Sequence, residues 1–318
     1  MILVGGEALI DLVPLSSTVD DELPLLRPFP GGGPYNAAIA AARLGARVRF
    51  LSRLSTDDFG EALLRRLHRS GVDTALVQRG PEPTTLAVTG IGPDGSARYS
   101  FHVEGTADRL VADPGALPAD VRVLSLGTLS LLLEPGASTY ETLLRRHAGA
   151  GGLTVLDPNV RPGLVSRPDT YRARFTSWLP DVSLLKLSVE DARWLAGLDP
   201  DAPEPQVLDV VRSWLAAGPA VAVLTRGAAG LTAVTGAGAR IDVPAVPSTV
   251  ADTIGAGDTV HGALLYWLAG TGVTSVDALR RLDGGIVRAG LELAAQAAAV
   301  TVSRAGAEPP FAAEIEGL

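Results

Sequence analysis

Short runs rich in apolar and β-branched residues alternate along the chain with longer stretches whose apolar positions recur every three or four residues. Ile2–Val4, Val48–Leu51, Val121–Leu126, Leu153–Leu156, Val182–Leu185 and Val221–Leu224 predict buried strands. Phe59–Arg69, Thr139–His147 and Val189–Leu195 predict amphipathic helices between them. Their ends are marked: Asp57 or Asp58 can cap the helix that Gly71 follows, and Gly45 follows a helix over Asn36–Leu44. This alternation predicts an α/β fold, a doubly wound, mostly parallel sheet with helices on both faces, built as one domain over residues 1–318.

One region breaks the rhythm. Within Thr84–Val103, Leu86–Ile91 and Ala97–Phe101 flank a turn at Pro93-Asp94-Gly95, which is a hairpin signal. No helix accompanies it, so the hairpin is expected to project from the α/β body. With Leu9–Pro14 it predicts a small β-sheet lid from segments near 9–14 and 84–103. No internal repeat interrupts the chain, and its one biased stretch is a Pro-rich loop at Asp199–Pro205.

The bulk numbers narrow the chemistry. The 318 residues are 47% hydrophobic and 19% charged, as in a globular chain. A net charge of −8 argues against nucleic acid or an anionic membrane as partner. No cysteine is present, which excludes disulfides, thiolate metal sites and cysteine nucleophiles and suits a reducing cytosol. The start has no basic n-region, and no stretch reaches the ~18 uninterrupted apolar residues of a membrane span. The chain therefore reads as cytoplasmic. Lys186 is the only lysine and has no glycine beside it, so nucleotide handling would have to proceed without a P-loop lysine.

Two glycine-rich turns carry candidate chemistry. Gly255-Ala256-Gly257-Asp258 leads into an apolar helix, where free backbone N–H groups and the helix dipole make an anion site. Phosphoryl transfer needs such donors, together with a carboxylate to take the proton of the attacking hydroxyl, and Asp258 is placed for that. Gly31-Gly32-Gly33-Pro34-Tyr35-Asn36 opens the helix that ends at Leu44, and its glycines let a polar ligand approach the backbone. Taken alone, each turn reads more simply as a capped helix or a clash-free connection.

Together they resemble the two signatures of the PfkB, or ribokinase-like, carbohydrate kinases. Gly31-Gly32-Gly33-x-x-Asn36 with Arg43-Leu44-Gly45 is similar to the first, and Asp252-Thr253-x-Gly255-Ala256-Gly257-Asp258 to the second. Asp157-Pro158-Asn159-Val160-Arg161, Lys186-Leu187-Ser188-x-Glu190 and Thr225-Arg226-Gly227 follow in the family's order, so the resemblance runs from about Gly5 to Pro310. It implies a ribokinase-like fold and ATP-dependent phosphorylation of a sugar, with Asp258 as base and Gly255, Ala256 and Gly257 as anion hole. It also implies sugar contacts from Asp11, Gly32, Gly33 and Asn36, and nucleotide or phosphate contacts from Asn159, Lys186, Glu190, Thr225 and Gly227. Arg161 is left open between the phosphates and the surface. ATP and Mg²⁺ are the implied cofactors, with Glu190 near the metal-bound water, and Asp252 marks a potassium site. Ala295 stands where relatives often carry an asparagine near the adenine, and Gln296 would point about 100° away around a helix.

Gly6-Glu7-Ala8-Leu9-Ile10-Asp11 and Gly31-Gly32-Gly33-Pro34 resemble fructokinases more than ribokinases, because Gly33 replaces a lysine and leaves room for a hexose. Tyr99, Phe101 and His102 of the hairpin are the residues expected to close over the ring. The alternatives are a 2-keto-3-deoxygluconate kinase, with Arg98 as cationic partner, a ribokinase, or a non-catalytic sugar-binding regulator. A Rossmann dehydrogenase is excluded, since Gly5-Gly6-Glu7-Ala8-Leu9-Ile10 lacks Gly-x-Gly-x-x-Gly. A homodimer is left open.

Overall fold

In the computed structural model, which describes residues 1–15, 23–91 and 97–315, the elements begin with β1 (Ile2–Gly5), β2 (Leu9–Pro14), β3 (Leu26–Gly31) and α1 (Gly33–Arg43). They continue with β4 (Val48–Ser55), α2 (Asp58–Arg69), β5 (Asp73–Gly80), β6 (Leu86–Ile91), β7 (Ala97–His102) and β8 (Val123–Gly127). Next come α3 (Gly136–Gly149), β9 (Leu153–Asp157), α4 (Pro168–Trp178), β10 (Leu184–Ser188), α5 (Val189–Ala196) and α6 (Glu204–Ala217). The chain closes with β11 (Val221–Thr225), β12 (Leu231–Thr235), β13 (Arg240–Val243), α7 (Ala256–Gly270), α8 (Val276–Arg280) and α9 (Gly284–Val302).

Nine strands form one sheet in the order β13-β12-β11-β10-β9-β8-β1-β4-β5. It is parallel from β11 to β5, with β12 and β13 antiparallel at one edge. Both faces are covered, and successive strand residues enter opposite cores. Ile2 and Val4 of β1 pack with α1, α7 and α9, whereas Leu3 packs with α3 and α4; Val223 and Leu224 of β11 divide in the same way. Burial on both faces is the reason these strands read as apolar runs rather than as alternation. The long apolar helix α9 has the length and composition of a membrane span, but one face of it, with Val287, Leu291 and Ala294, is buried in the core beside the sheet.

The hairpin and Leu9–Pro14 meet as expected in a second, four-stranded sheet, β3-β2-β6-β7. The predicted turn at Pro93-Asp94-Gly95 lies outside the described residues. The edge strand β3 was not legible, because it carries Pro28 and Pro30 opposite Leu12 and Ile10 of β2. Two residues apart on an edge, both proline nitrogens face the open side, where no ladder hydrogen bond is lost. The inner face of this sheet, through Leu9, Ala87 and Phe101, packs on Leu129 in the turn after β8.

Candidate active site

Strand order reverses between β1 and β8: from β1 the chain moves out through β4 and β5, and from β8 it moves the other way through β9, β10 and β11. At such a switch point the loops leaving the two carboxyl ends diverge and open a crevice. A cavity of about 480 Å³ lies there. Glu7 enters it from the turn after β1, Thr128 and Leu129 from the turn after β8, and Asn159 and Arg161 from the turn after β9. The small sheet supplies another wall through Leu9, Asp11, Thr89, Tyr99 and Phe101. Gly32, Gly33 and Asn36 at the start of α1 and Gly255, Gly257 and Asp258 at the start of α7 complete it.

Asn36 and Asp258 come from segments 222 residues apart, yet the Asn36 amide Nδ2 donates to Asp258 Oδ2 at 2.9 Å. This bond holds the carboxylate at a fixed angle over the cavity floor. Burial pushes Asp258 up to about 6, with Asp157 adding to the shift and the Asn36 amide, Lys186 and Arg161 opposing it. Asp11 is likewise pushed up to about 6, first by burial and then by the neighbouring Asp258, with Arg161 opposing. Arg161 is turned toward Asn159, donating to its side-chain Oδ1 at 2.7 Å and its carbonyl at 2.9 Å. Asn159 itself sits at φ 37°, a left-handed backbone that asparagine tolerates better than most residues.

Gly255 caps α7 at φ 76°. The amides of Gly255, Gly257 and Asp258 have no backbone acceptor among the described residues, and that of Ala256 reaches Thr253 O at 3.3 Å. Free N–H groups and the positive end of a 15-residue helix therefore converge beside Asp258. Asp252 braces this loop: its Oδ1 accepts the N–H of Ile254 at 3.0 Å and its Oδ2 that of Gly306 at 2.8 Å.

A second cavity, of about 570 Å³, opens on the other side of the α7 N-terminus. Thr225, Gly227 and Gly230 line it at the end of β11, Val246 and Val250 from the loop before α7, and Ala295, Ala298 and Ala299 from α9. Thr253 and Gly257 line both cavities, so the two spaces meet at the turn that opens α7. Ala295 faces this second cavity, while Gln296 lines a groove between α7 and α9, as helical geometry predicted.

Three anticipated site residues are placed differently. His102 is exposed and lines neither cavity, because alternation along β7 sends it to the face opposite Tyr99 and Phe101. Glu190 is exposed on the first turn of α5 and also lines neither cavity. Its neighbour Asp191 is the buried one: it completes the capping box of that helix by accepting the N–H of the N-cap Ser188 at 3.1 Å, and it accepts the Val160 N–H at 2.8 Å. Lys186 is 3% exposed and donates to Asp157 Oδ2 at 2.7 Å. It lies behind Gly257, where an added Cβ would be 3.4 Å from its Nζ, and it lines neither cavity. Thr89, Thr128 and Glu7 also line the first cavity and were not expected from the sequence. Strand alternation could have placed Thr89 with the cavity-facing residues, whereas the positive φ of 61° at Thr128 leaves no trace in composition.

Residues 1–313 match the pfkB family carbohydrate kinase profile. The chain belongs to that family. The fructokinase of Rhizobium leguminosarum bv. trifolii is 36% identical to this kinase over 292 residues, covering 91% of this chain and 86% of the relative. Fructokinase-1 of Oryza sativa subsp. japonica is 32% identical over 323 residues, covering 98% and 95%. Among solved structures, the fructokinase from Xylella fastidiosa with bound ATP superposes with a TM-score of 0.84 at 27% identity, covering 99% of this kinase and 94% of that chain.

Proposed function

We propose that this carbohydrate kinase transfers the γ-phosphoryl group of ATP to a hydroxyl of fructose. The observation that carries the reading is the shared boundary of the two cavities at Thr253 and Gly257, with Asp258 and free amides at that boundary. A sugar in the first cavity and a nucleotide in the second would bring hydroxyl and γ-phosphate together there. Asp258 takes the hydroxyl proton, the sugar oxygen forms its bond to phosphorus, and the bond to the bridging oxygen breaks with its electron pair leaving on ADP. The amides of Gly255, Gly257 and Asp258 stabilise charge on the moving phosphoryl oxygens, and Lys186 adds positive potential from behind. The small sheet acts as a lid that excludes water.

The choice of a neutral polyol follows from charge. Among the described residues, Asp11 and Asp258 face a single guanidinium, Arg161, already engaged by Asn159. A sugar acid would set its carboxylate against those two, and the side chain of Arg98, its proposed partner, lies outside the described residues. The fructokinase relatives support the same choice.

Among the described residues no three His, Cys, Asp or Glu gather to cage a metal. A divalent ion here is held chiefly by the nucleotide phosphates, and Mg²⁺ so bound neutralises developing charge. Both Asp252 oxygens keep a free lone pair beyond the N–H each accepts, so the loop fits a potassium ion.

Purified protein with ATP and Mg²⁺ is expected to release ADP with fructose and not with adenosine, and faster than with ribose or 2-keto-3-deoxygluconate. Chelator should abolish the reaction, and sodium in place of potassium should slow it. Turnover with another sugar but none with fructose overturns the assignment, and equal rates in the two salts remove Asp252 from the cation role.

Acidity gives a further expectation. The base must be ionised, so activity is full well above pH 6 and is lost as pH falls through the raised values of Asp258 and Asp11, about 6 each. The two carboxyls are coupled and titrate as a pair. Below that range kcat/KM should fall about tenfold per pH unit. A profile that stays flat to about pH 5 would contradict the burial of the base.

A further inference from the structure

Glu7 belongs to the segment that resembles fructokinases, yet the transfer reaction leaves it without a task. It is 2% exposed in the turn after β1 and reaches the first cavity from below. Its Oε1 accepts the N–H of Gly33 at 3.3 Å, and its Oε2 accepts the N–H of Ser130 at 3.1 Å. Those two amides belong to separate walls of the cavity, the start of α1 and the turn after β8.

Both walls are held in demanding conformations. Thr128 has a φ of 61° and Gly32 a φ of 109°. A Cβ on Gly33 would lie 2.5 Å from Thr128 Oγ1, and one on Gly32 would lie 2.6 Å from the carbonyl oxygen of Glu7 itself. The two turns thus touch across the cavity floor with no slack, and one side chain ties them together. Gly33 also borders Asp258, since the same added Cβ would stand 3.5 Å from Asp258 Oδ1.

We propose that Glu7 is a positioning residue for the sugar, a staple between the Gly32–Gly33 and Thr128–Ser130 turns that sets the width of the sugar site. Behind it Asp108 is buried and accepts from the hydroxyls of Thr85 and Thr106. Burial, with Asp108 adding, pushes Glu7 up to about 8, and the N–H groups that its two oxygens accept oppose the shift.

This inference rests on the reading of the first cavity as the fructose site, and the test separates the two. Glu7→Gln keeps the size but replaces one acceptor oxygen by an N–H donor, so one turn loses its tether. KM for fructose should rise about tenfold while KM for ATP stays within about twofold. In the sugar-free enzyme, the Gly33 or Ser130 amide should exchange with solvent faster, with exchange in α9 unchanged. Glu7→Asp, too short to span both turns, should show the same split. If wild type does not phosphorylate fructose, the fructose reading fails and the exchange result still judges the staple. Unchanged fructose KM with unchanged exchange at both amides overturns the proposal, as does an equal rise in both KM values with faster exchange everywhere. Should neither variant fold, wild type decides: Gly33 and Ser130 amides that exchange as fast as exposed loop amides overturn the staple, and slow exchange at both supports it.

Discussion

Asp258→Asn should lower kcat by about 10²–10⁴, the usual contribution of a general base, and leave fructose affinity nearly unchanged. Asparagine has the size of aspartate and can still meet the Asn36 amide through its carbonyl oxygen, which now receives the 2.9 Å hydrogen bond. What it lacks is a proton-accepting carboxylate. Asp11, Asn36 and the glycines of the first cavity stay in place, so sugar binding measured by calorimetry should persist. A helix-capping role for Asp258 predicts the reverse, since asparagine caps as well as aspartate. A folded, sugar-binding variant that turns over within about threefold of wild type would remove Asp258 as the base.

Gly255→Ala should be the second most damaging change. Gly255 holds φ 76°, and an added Cβ would lie 2.5 Å from the Cβ of Ala307 and 2.8 Å from its Cα. The second contact is with backbone, which cannot swing aside as a flexible side chain would. The loop between Asp252 and α7 must shift, and the amides at the cavity junction shift with it. Losing one such donor typically costs about 10²–10³ in kcat. Steady-state kinetics should show that loss with KM for fructose within a few-fold of wild type. If the turn served only to start α7, the variant would lose stability by about 1–2 kcal/mol of left-handed strain and the folded enzyme would keep its kcat.

Much of this site was legible because phosphoryl transfer asks for residue types that leave sequence traces. Gly255, Gly257 and Asp258, or Gly32, Gly33 and Asn36, are recognisable where a glycine turn opens a helix. The buried strands were legible because both faces are covered, which writes burial into unbroken apolar runs. Features that depend on tertiary partners were not. β3 exists because its two prolines lie on an edge, and nothing local says which strand is an edge. Glu190 and Asp191 are adjacent acids; the capping-box spacing from Ser188 to Asp191 was readable, but the Val160 N–H that Asp191 also accepts, 31 residues away, was not. Lys186 pairs with Asp157, 29 residues away, a partner that nothing beside it in the sequence reveals. His102 is a different case, since the alternation of β7 was readable and separates it from Phe101 by one residue.

The most direct test is a crystal structure with fructose and a non-hydrolysable ATP analogue bound together. The account predicts a fructose hydroxyl within about 3 Å of an Asp258 carboxylate oxygen, in line with a terminal phosphate resting on the amides of Gly255 and Gly257. Fructose seated with every hydroxyl out of reach of Asp258, or the terminal phosphate bound away from the α7 N-terminus, would contradict it.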